Sequence, residues 1–567
     1  MPAPAVIERR NLLLPELVRW PVALDKPVIE LDDVTLDFGD KRVLDGLSLS
    51  IPTGKTTVIL GGSGSGKTVL LKLMIGLLRP TRGRVLVFGR DLATVSAVEL
   101  LGLRKRMGMV FQSYALFDGL SVEDNVGFSL RENSHLHGPE IIALSHELIH
   151  LLQLDGSEAQ LPGQLSGGMR KRVSLARALV ANPEVVLYDE PTTGLDPLMV
   201  KRVDEMIELA KAQYGITSVV ISHDMTSTQR IADTVRFLHD GQIAFAGTFE
   251  ELGRSKLEPI QRFVAAAAVS ARTTAPRPIR LDLGEPLIEL VDVDKSFGRK
   301  HVLRGVNLAI YPRQTTSLIG ASGSGKSVIV KHIMGMLVPD RGRVLAFGQD
   351  LASLSGRVMN EMRRHFGLVF QQAALLDWLS VRDNVAFPLV EGRSTPPAEV
   401  ARRVDDALSL LKLTEIRDVM PGDLSLALRK RVGIARAIVT KPDVLIYDEP
   451  TTGQDPILTR EIDDVIQEMQ AQLEVASIVV SHDMASTFRI SDRIAVLQDG
   501  AIVAFGTPAD IRGSSNEYVQ RFIRASEGEL GVVDPGRSRD LETTHDLVVA
   551  SNSSIGRSRY RSTKELQ

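Results

Sequence analysis

The chain has no cysteine at all, which excludes disulfides and thiolate metal sites and fits a reducing compartment. It also lacks any apolar run approaching the ~20 residues that a membrane-spanning helix needs. The first 26 residues show no basic start followed by an apolar stretch and a small-residue cleavage site, so they do not read as a signal peptide. A large charge of one sign is missing too, the formal net charge being −3. That near-neutral balance argues against a protein held on nucleic acid by bulk charge. These absences describe a soluble chain that reaches a membrane only through a partner.

What is present is a duplication. At 567 residues the chain is too long for one core, and each half suits one large α/β domain. A loop Gly61-Gly62-Ser63-Gly64-Ser65-Gly66-Lys67-Thr68 returns as Gly320-Ala321-Ser322-Gly323-Ser324-Gly325-Lys326-Ser327. The offset is 259, and it also relates Phe38 to Phe297, Gln112 to Gln371, Asp189 to Asp448, Glu190 to Glu449 and His223 to His482. A register kept without net insertion over such a length means two copies of one nucleotide-handling domain. The expected organisation is an extension at 1–27, domains at 28–264 and 287–525, a linker at 265–286 and a disordered polar tail at 526–567.

Each half shows short β-branched runs that end in functional residues. Thr57-Val-Ile-Leu60 leads into the first loop, Val185-Val-Leu-Tyr188 into Asp189-Glu190, and Ser218-Val-Val-Ile-Ser222 into His223. Buried parallel strands read this way, and open α/β sheets bind ligands at the carboxyl ends of their strands. The pattern G-x-x-x-x-G-K-[ST] between strand and helix makes a phosphate cradle: its glycines let backbone N–H groups turn inward, and the helix N-terminus adds positive charge. Lys67 and Lys326 should reach the β- and γ-phosphates, and Thr68 and Ser327 should ligate Mg²⁺. Asp189 and Asp448 aim a carboxylate at that metal. Glu190 and Glu449 can polarise the attacking water as general bases, and His223 and His482 can contact the γ-phosphate and hold the water.

Between loop and carboxylates lies Leu165-Ser166-Gly167-Gly168-Met169, followed by Arg170-Lys171-Arg172 and an alanine-rich helix. With this segment the chain resembles the ABC-type ATPases over about residues 28–262 and 287–521. The resemblance implies an α/β fold of two tandem P-loop NTPase cassettes. Each would have a mainly parallel sheet core, a helical subdomain and an antiparallel β subdomain. It implies head-to-tail pairing, with each ATP between one cassette's phosphate loop and the other's signature residues, here Ser166, Gly167 and Gly168. It implies that Phe38 and Phe297 stack on adenine, and that Gln112 and Gln371 join the metal site beside the γ-phosphate. The second signature departs from the pattern: Leu424-Ser425-Leu426-Ala427-Leu428 has lost both glycines. The pocket of Lys326, Glu449, His482 and Ser166 is therefore expected to hydrolyse ATP. The pocket of Lys67, Glu190 and Ser425 is expected to bind it and turn over slowly. The run 170–172 is expected to be an exposed helix face.

In ABC transporters the segments after the two glutamines line a groove for a cytoplasmic helix of the membrane subunit. Here they are residues 113–126 and 372–385, with Tyr114, Phe117, Leu376 and Trp378 as apolar contacts. Phe-Gln-Ser-Tyr-Ala-Leu-Phe-Asp (111–118), the Met-Arg-Lys-Arg continuation of the signature, Asn-Val-Ala-Phe-Pro-Leu (384–389) and Gly453-Gln-Asp-Pro456 resemble the Mla/Mce-type lipid-transport ATPases. That resemblance implies a MlaE-like permease and MCE-domain lipid-binding proteins as partners, with the chain peripheral on the inner face of the membrane. Tandem ATPases of sugar importers are the alternative among transporters. A soluble ribosome-associated protein of the ABC-F type would need a long charged helical linker, which 265–286 does not supply. The 99 residues between Lys67 and Ser166 leave no room for the coiled coil of DNA-repair relatives, so no nucleic-acid partner is expected.

Overall fold

The computed structural model of the protein describes residues 26–269 and 284–526, apart from 299, 393 and 394. Nearly all of the N-terminal extension, most of the expected linker and the tail beyond Ser526 lie outside the described residues.

In the first half the strands are β1 (Ile29–Phe38), β2 (Lys41–Ile51), β3 (Thr56–Gly61), β4 (Arg82–Val87), β5 (Arg90–Asp91), β6 (Met107–Val110), β7 (Val185–Asp189), β8 (Thr217–Ile221), β9 (Thr234–His239) and β10 (Gln242–Gly247). They form two sheets, ordered β2-β1-β4-β5 and β10-β9-β3-β8-β7-β6. The first is antiparallel. In the second, β9-β3-β8-β7-β6 run parallel and β10 closes the edge antiparallel. Every residue of β3, β7 and β8 is buried, as continuous β-branched runs require in a sheet covered on both faces. The second half repeats the plan with β11 (Ile288–Phe297), β12 (Lys300–Ile310), β13 (Thr315–Gly320), β14 (Arg341–Ala346), β15 (Gln349–Asp350), β16 (Phe366–Val369), β17 (Val444–Asp448), β18 (Ala476–Val480), β19 (Arg493–Gln498) and β20 (Ala501–Gly506). Its sheets are ordered β12-β11-β14-β15 and β16-β17-β18-β13-β19-β20.

Parallel order puts the carboxyl ends of β3, β7 and β8 side by side, and those of β13, β17 and β18 likewise. Helices Val122–Asn133, Gly138–Leu151 and Gly167–Leu179 form a separate lobe between β6 and β7, repeated by Val381–Glu391, Pro397–Leu410 and Leu426–Ile438. In each lobe a fully buried asparagine organises the preceding loop. Asn125 accepts from Phe117 N and donates to the carbonyls of Phe117, Leu120 and Ser121. Asn384 does the same with Leu376, Leu379 and Ser380. Neither of these two side-chain amides is left without partners.

The last helix of the first half runs Glu258–Val269, five residues into the stretch expected to be linker. Its alanines and its Phe263, buried edge-on to Phe237 at 5.3 Å, sustain the helix there. Both halves belong to one compact unit. Helix Glu258–Val269 packs on helix Pro456–Leu473 of the second half, and helix Glu517–Ser526 packs on Pro197–Tyr214 of the first. Among the described residues no helix is long and apolar enough to cross a membrane.

Candidate active sites

Each phosphate loop leaves its strand and enters a helix at a left-handed glycine. Gly66 has φ 102° and Gly325 φ 108°, and a Cβ on Gly325 would lie 2.7 Å from Leu303 Cδ2. Only glycine makes that turn against that wall. Lys67 Nζ donates to the carbonyls of Gly61 and Gly62, both at 2.8 Å. Lys326 folds onto Gly320 and Ala321 in the same way, at 2.8 and 3.0 Å. Burial pushes both ammonium groups down, Lys326 to about 8, against the opposing pull of nearby carboxylates. Among the described residues the buried hydroxyls of Ser65 and Ser324 have no hydrogen-bond partner.

At the end of β7, Asp189 Oδ1 accepts from Thr68 Oγ1 at 3.2 Å. Burial raises the Asp189 carboxyl, and the Thr68 bond works against that rise. Burial and the Glu449 charge raise Asp448 in the second half. The next residue in each half is held in left-handed backbone, Glu190 at φ 48° and Glu449 at φ 50°. Glu190 is met by His223 Nδ1 at 3.4 Å, Thr193 Oγ1 at 2.9 Å and Gln112 Nε2 at 3.2 Å. Burial alone would raise its carboxyl. His223, Thr193 and Lys67 outweigh that and hold it at about 2. Burial opposes charge on His223, yet Glu190 carries it above the ordinary imidazole value. In the second half His482 presents Nε2 to Glu449 at 2.8 Å, with Thr452 Oγ1 at 3.1 Å. Gln371 is exposed and, among the described residues, makes no hydrogen bond to Glu449.

The two halves meet at these loops. Asp455 Oδ1 caps helix Pro456–Leu473 through the N–H groups of Ile457 and Leu458, while its Oδ2 accepts from Ser63 N of the first phosphate loop at 2.7 Å. Asp196 Oδ1 caps Met199 N, and its Oδ2 accepts from Ser322 N of the second loop at 3.0 Å. Each phosphate loop is thus closed by an aspartate of the opposite half.

The chain belongs to the ABC transporter family. The family profile described as "ABC transporter" matches residues 44–193 and 303–452. An uncharacterized ABC transporter ATP-binding protein of Methanocaldococcus jannaschii is 27% identical over 85% of this chain and 96% of its own length. The peptidoglycan transport ATP-binding protein YejF of Agrobacterium fabrum is 28% identical over 90% and 98%. The glutathione import ATP-binding protein GsiA of Shigella boydii is 28% identical over 87% of each. Among solved structures, CbiO1 of Clostridium perfringens, part of the ABC transporter complex cbiONQ, aligns with 42% of this chain and 95% of its own at 30% identity, with a TM-score of 0.39. The chain is accordingly an ATP-binding ABC transporter ATPase with two cassettes.

The oxygen donors gathered in each cassette, a Thr or Ser hydroxyl and an Asp carboxylate, suit a hard divalent cation. Thr68 and Asp189 already lie within hydrogen-bond reach of one another. Phe38 and Phe297, at the ends of β1 and β11, are about half exposed, and the Lys295 ammonium lies 5.8 Å from the centre of the Phe297 ring.

The two signatures have the same backbone and different surfaces. Ser166 Oγ caps its helix by accepting from Met169 N, and Ser425 Oγ accepts from Leu428 N, both at 3.3 Å. Among the described residues neither hydroxyl bonds a phosphate loop. Loss of the glycines therefore leaves the helix start intact and changes what lines it. A Cβ on Gly167 would meet the Tyr114 hydroxyl at 3.4 Å. Leu426 stands at the matching position, where Ala373 has replaced the tyrosine.

The expectation of an exposed basic face at 170–172 is overturned. Lys171 is 3% exposed and donates to the carbonyls of Gln112 and Glu190 at 3.2 and 3.0 Å. Arg172 is tied to the carbonyls of Leu152 and Gln153, and Arg170 lies 5.3 Å from the Tyr114 ring. Lys430 is 2% exposed and bonds the Pro450 carbonyl. Burial lowers both lysines to about 8, opposed by Glu190 and Asp189 in one cassette and Glu449 in the other. These lysines, with Asp196 and Asp455, are site residues to which the sequence reading gave no role. The helical period supplies a signal: Lys171 shares a stripe with the buried Ser174, Leu175 and Ala178.

Proposed function

We propose that this ATPase drives a phospholipid- or related lipid-moving permease of the Mla/Mce type, with one hydrolytic and one slow ATP site. Its cassettes occupy 28–264 and 287–525. The observation that carries the two-site reading is the reciprocal contact of Asp196 with the second phosphate loop and Asp455 with the first. Opposed orientation brings Ser166, Gly167 and Gly168 to the ATP of Lys326 and Ser327, and Ser425 to the ATP of Lys67 and Thr68. Glu449 with His482 then activates water at the productive site, while the Leu426 side chain obstructs close approach at the other. Thr68, Asp189 and Gln112 in one cassette, and Ser327, Asp448 and Gln371 in the other, would hold Mg²⁺, which would supply charge neutralisation to the bound phosphates. Glu449→Gln should cost ATPase activity more than tenfold and Glu190→Gln far less. Equal losses, or a larger loss for Glu190→Gln, refute the asymmetry.

The permease is received beside the two glutamines, placing the chain on the inner face of the membrane. Trp378 is 73% exposed and Phe117 44%, with Tyr114 and Leu376 half-buried beside them. The left-handed pairs Tyr114-Ala115 and Ala373-Ala374 present these loops. Lipid as cargo rests on the wording of residues 111–118, 165–173, 384–389 and 453–456. Small-peptide or muropeptide import is the second reading, favoured by the peptidoglycan and glutathione relatives. Finding a MlaE-like permease and MCE-domain proteins encoded beside this gene would support lipid. ATPase stimulation of the assembled complex by phospholipid, and not by oligopeptide or glutathione, separates the two.

A further inference from the structure

The second phosphate loop has a contact that the first cannot make. Ala321 N donates to the hydroxyl of Tyr518 at 3.1 Å, and the next N–H, on Ser322, goes to Asp196 of the first cassette. Two successive amides of one loop are thus held by different bodies, one by the second cassette's last helix and one by the opposite cassette. Tyr518 is 8% exposed, with its ring 5.9 Å from Phe522. It belongs to a core with Ile319, Phe488 and Val496, against which Leu198 of the first cassette packs. The far end of the same helix is gripped as well: Ala525 O accepts from Arg230 Nη2 of the first cassette at 2.7 Å, and Arg230 is anchored on Asp204 at 3.2 Å. The 259 offset puts Pro259 at the corresponding position of the first cassette, and proline carries no hydroxyl.

We infer that Tyr518 is a positioning residue of the second ATP site alone, coupling the entry of its phosphate loop to the helix that bridges the cassettes. The inference rests on reading loop 320–327 as an ATP site. A tyrosine suits the task because its ring fixes the oxygen with two torsions and buries the rest of the side chain. Closure or separation of the cassettes shifts helix Glu517–Ser526 through Leu198 and Arg230, and the hydroxyl passes that shift to Ala321. Among the described residues the first loop has no such tie, so its affinity should be independent of this helix.

Nucleotide binding to the full-length chain tests this one loop at a time, with a fluorescent ATP analogue. Lys67→Ala silences the first loop and Lys326→Ala the second. Tyr518→Phe keeps the ring packing and removes only the oxygen. On the Lys67→Ala background it should weaken binding about three- to tenfold, the worth of one neutral hydrogen bond. On the Lys326→Ala background it should change nothing. Equal weakening on both backgrounds marks a general structural role and overturns the inference, as does unchanged affinity on the Lys67→Ala background. If Lys326→Ala itself leaves two nucleotides bound per chain, the ATP-site reading of that loop falls first, and this inference with it.

Discussion

Replacing Asp455 by asparagine separates the two tasks of one carboxylate. Its Oδ1 caps a helix of its own cassette and its Oδ2 accepts the Ser63 amide of the other at 2.7 Å. Asparagine caps helices as well as aspartate does, but its single oxygen cannot serve both sides. A hydrogen bond to a charged acceptor contributes about 1.5–3 kcal/mol, and Asp455 is buried, so solvent screening is slight. Closure of the cassettes should therefore need about ten- to a hundredfold more ATP in Asp455→Asn, with the unfolding midpoint nearly unchanged. Asp455→Ala loses the cap too, a further ~1 kcal/mol, which lowers the midpoint of a domain this size by about 2–4 °C. Energy transfer between labels on the two cassettes during ATP titration reads closure, and calorimetry reads the midpoint. Wild-type ATP dependence of closure in Asp455→Asn would sink the cross-cassette clasp. An equal drop in midpoint for both variants would show that the carboxylate matters only within its own fold.

Further outcomes follow from buried charges. Lys430→Met should lower kcat about tenfold or more and leave the KM for ATP unchanged, because the lysine holds the segment after the base and not the phosphate loop. Combined with Glu449→Gln it should cost nothing extra, and an additive loss would cut that link. Burial raises Asp204 to about 7 and Asp463 to about 8, against the Ser227 and Ser486 hydroxyls that bond them. Both values exceed the ~3.9 of an unfolded aspartate, so the folded chain keeps protons that the unfolded chain releases. Stability should then fall as pH rises from about 4 to 8 and level off above. Asp204→Asn and Asp463→Asn should flatten that slope in melting curves taken from pH 5 to 9, and an unflattened slope would assign the proton uptake elsewhere.

The placement of the phosphate loops, the Asp-Glu pairs and the histidines at strand ends was legible because each follows directly on a short buried run. Three strands of the parallel core, β3, β7 and β8, were legible for a similar reason, each being a continuous buried run. Contacts made across the duplication leave no such trace. Asp196 and Asp455 each stand before a proline that opens a helix, and nothing near them in sequence names Ser322 or Ser63 as partners. Lys171 was missed through its flanking arginines, which make a short basic run look solvated although the helical stripe points the lysine inward. Tyr518 sits in an ordinary amphipathic helix some 190 residues from the loop it touches, where no spacing rule reaches.

The exchange of Tyr114 and Gly167 for Ala373 and Leu426 has an evolutionary reading. In an assembly of two identical subunits, every substitution is written into both pockets, so a bulky side chain that helps one must burden the other. Joining the copies end to end lifts that constraint. Each half can drift alone, with a compensating change beside it, and division of labour between the pockets becomes a property that a single gene inherits.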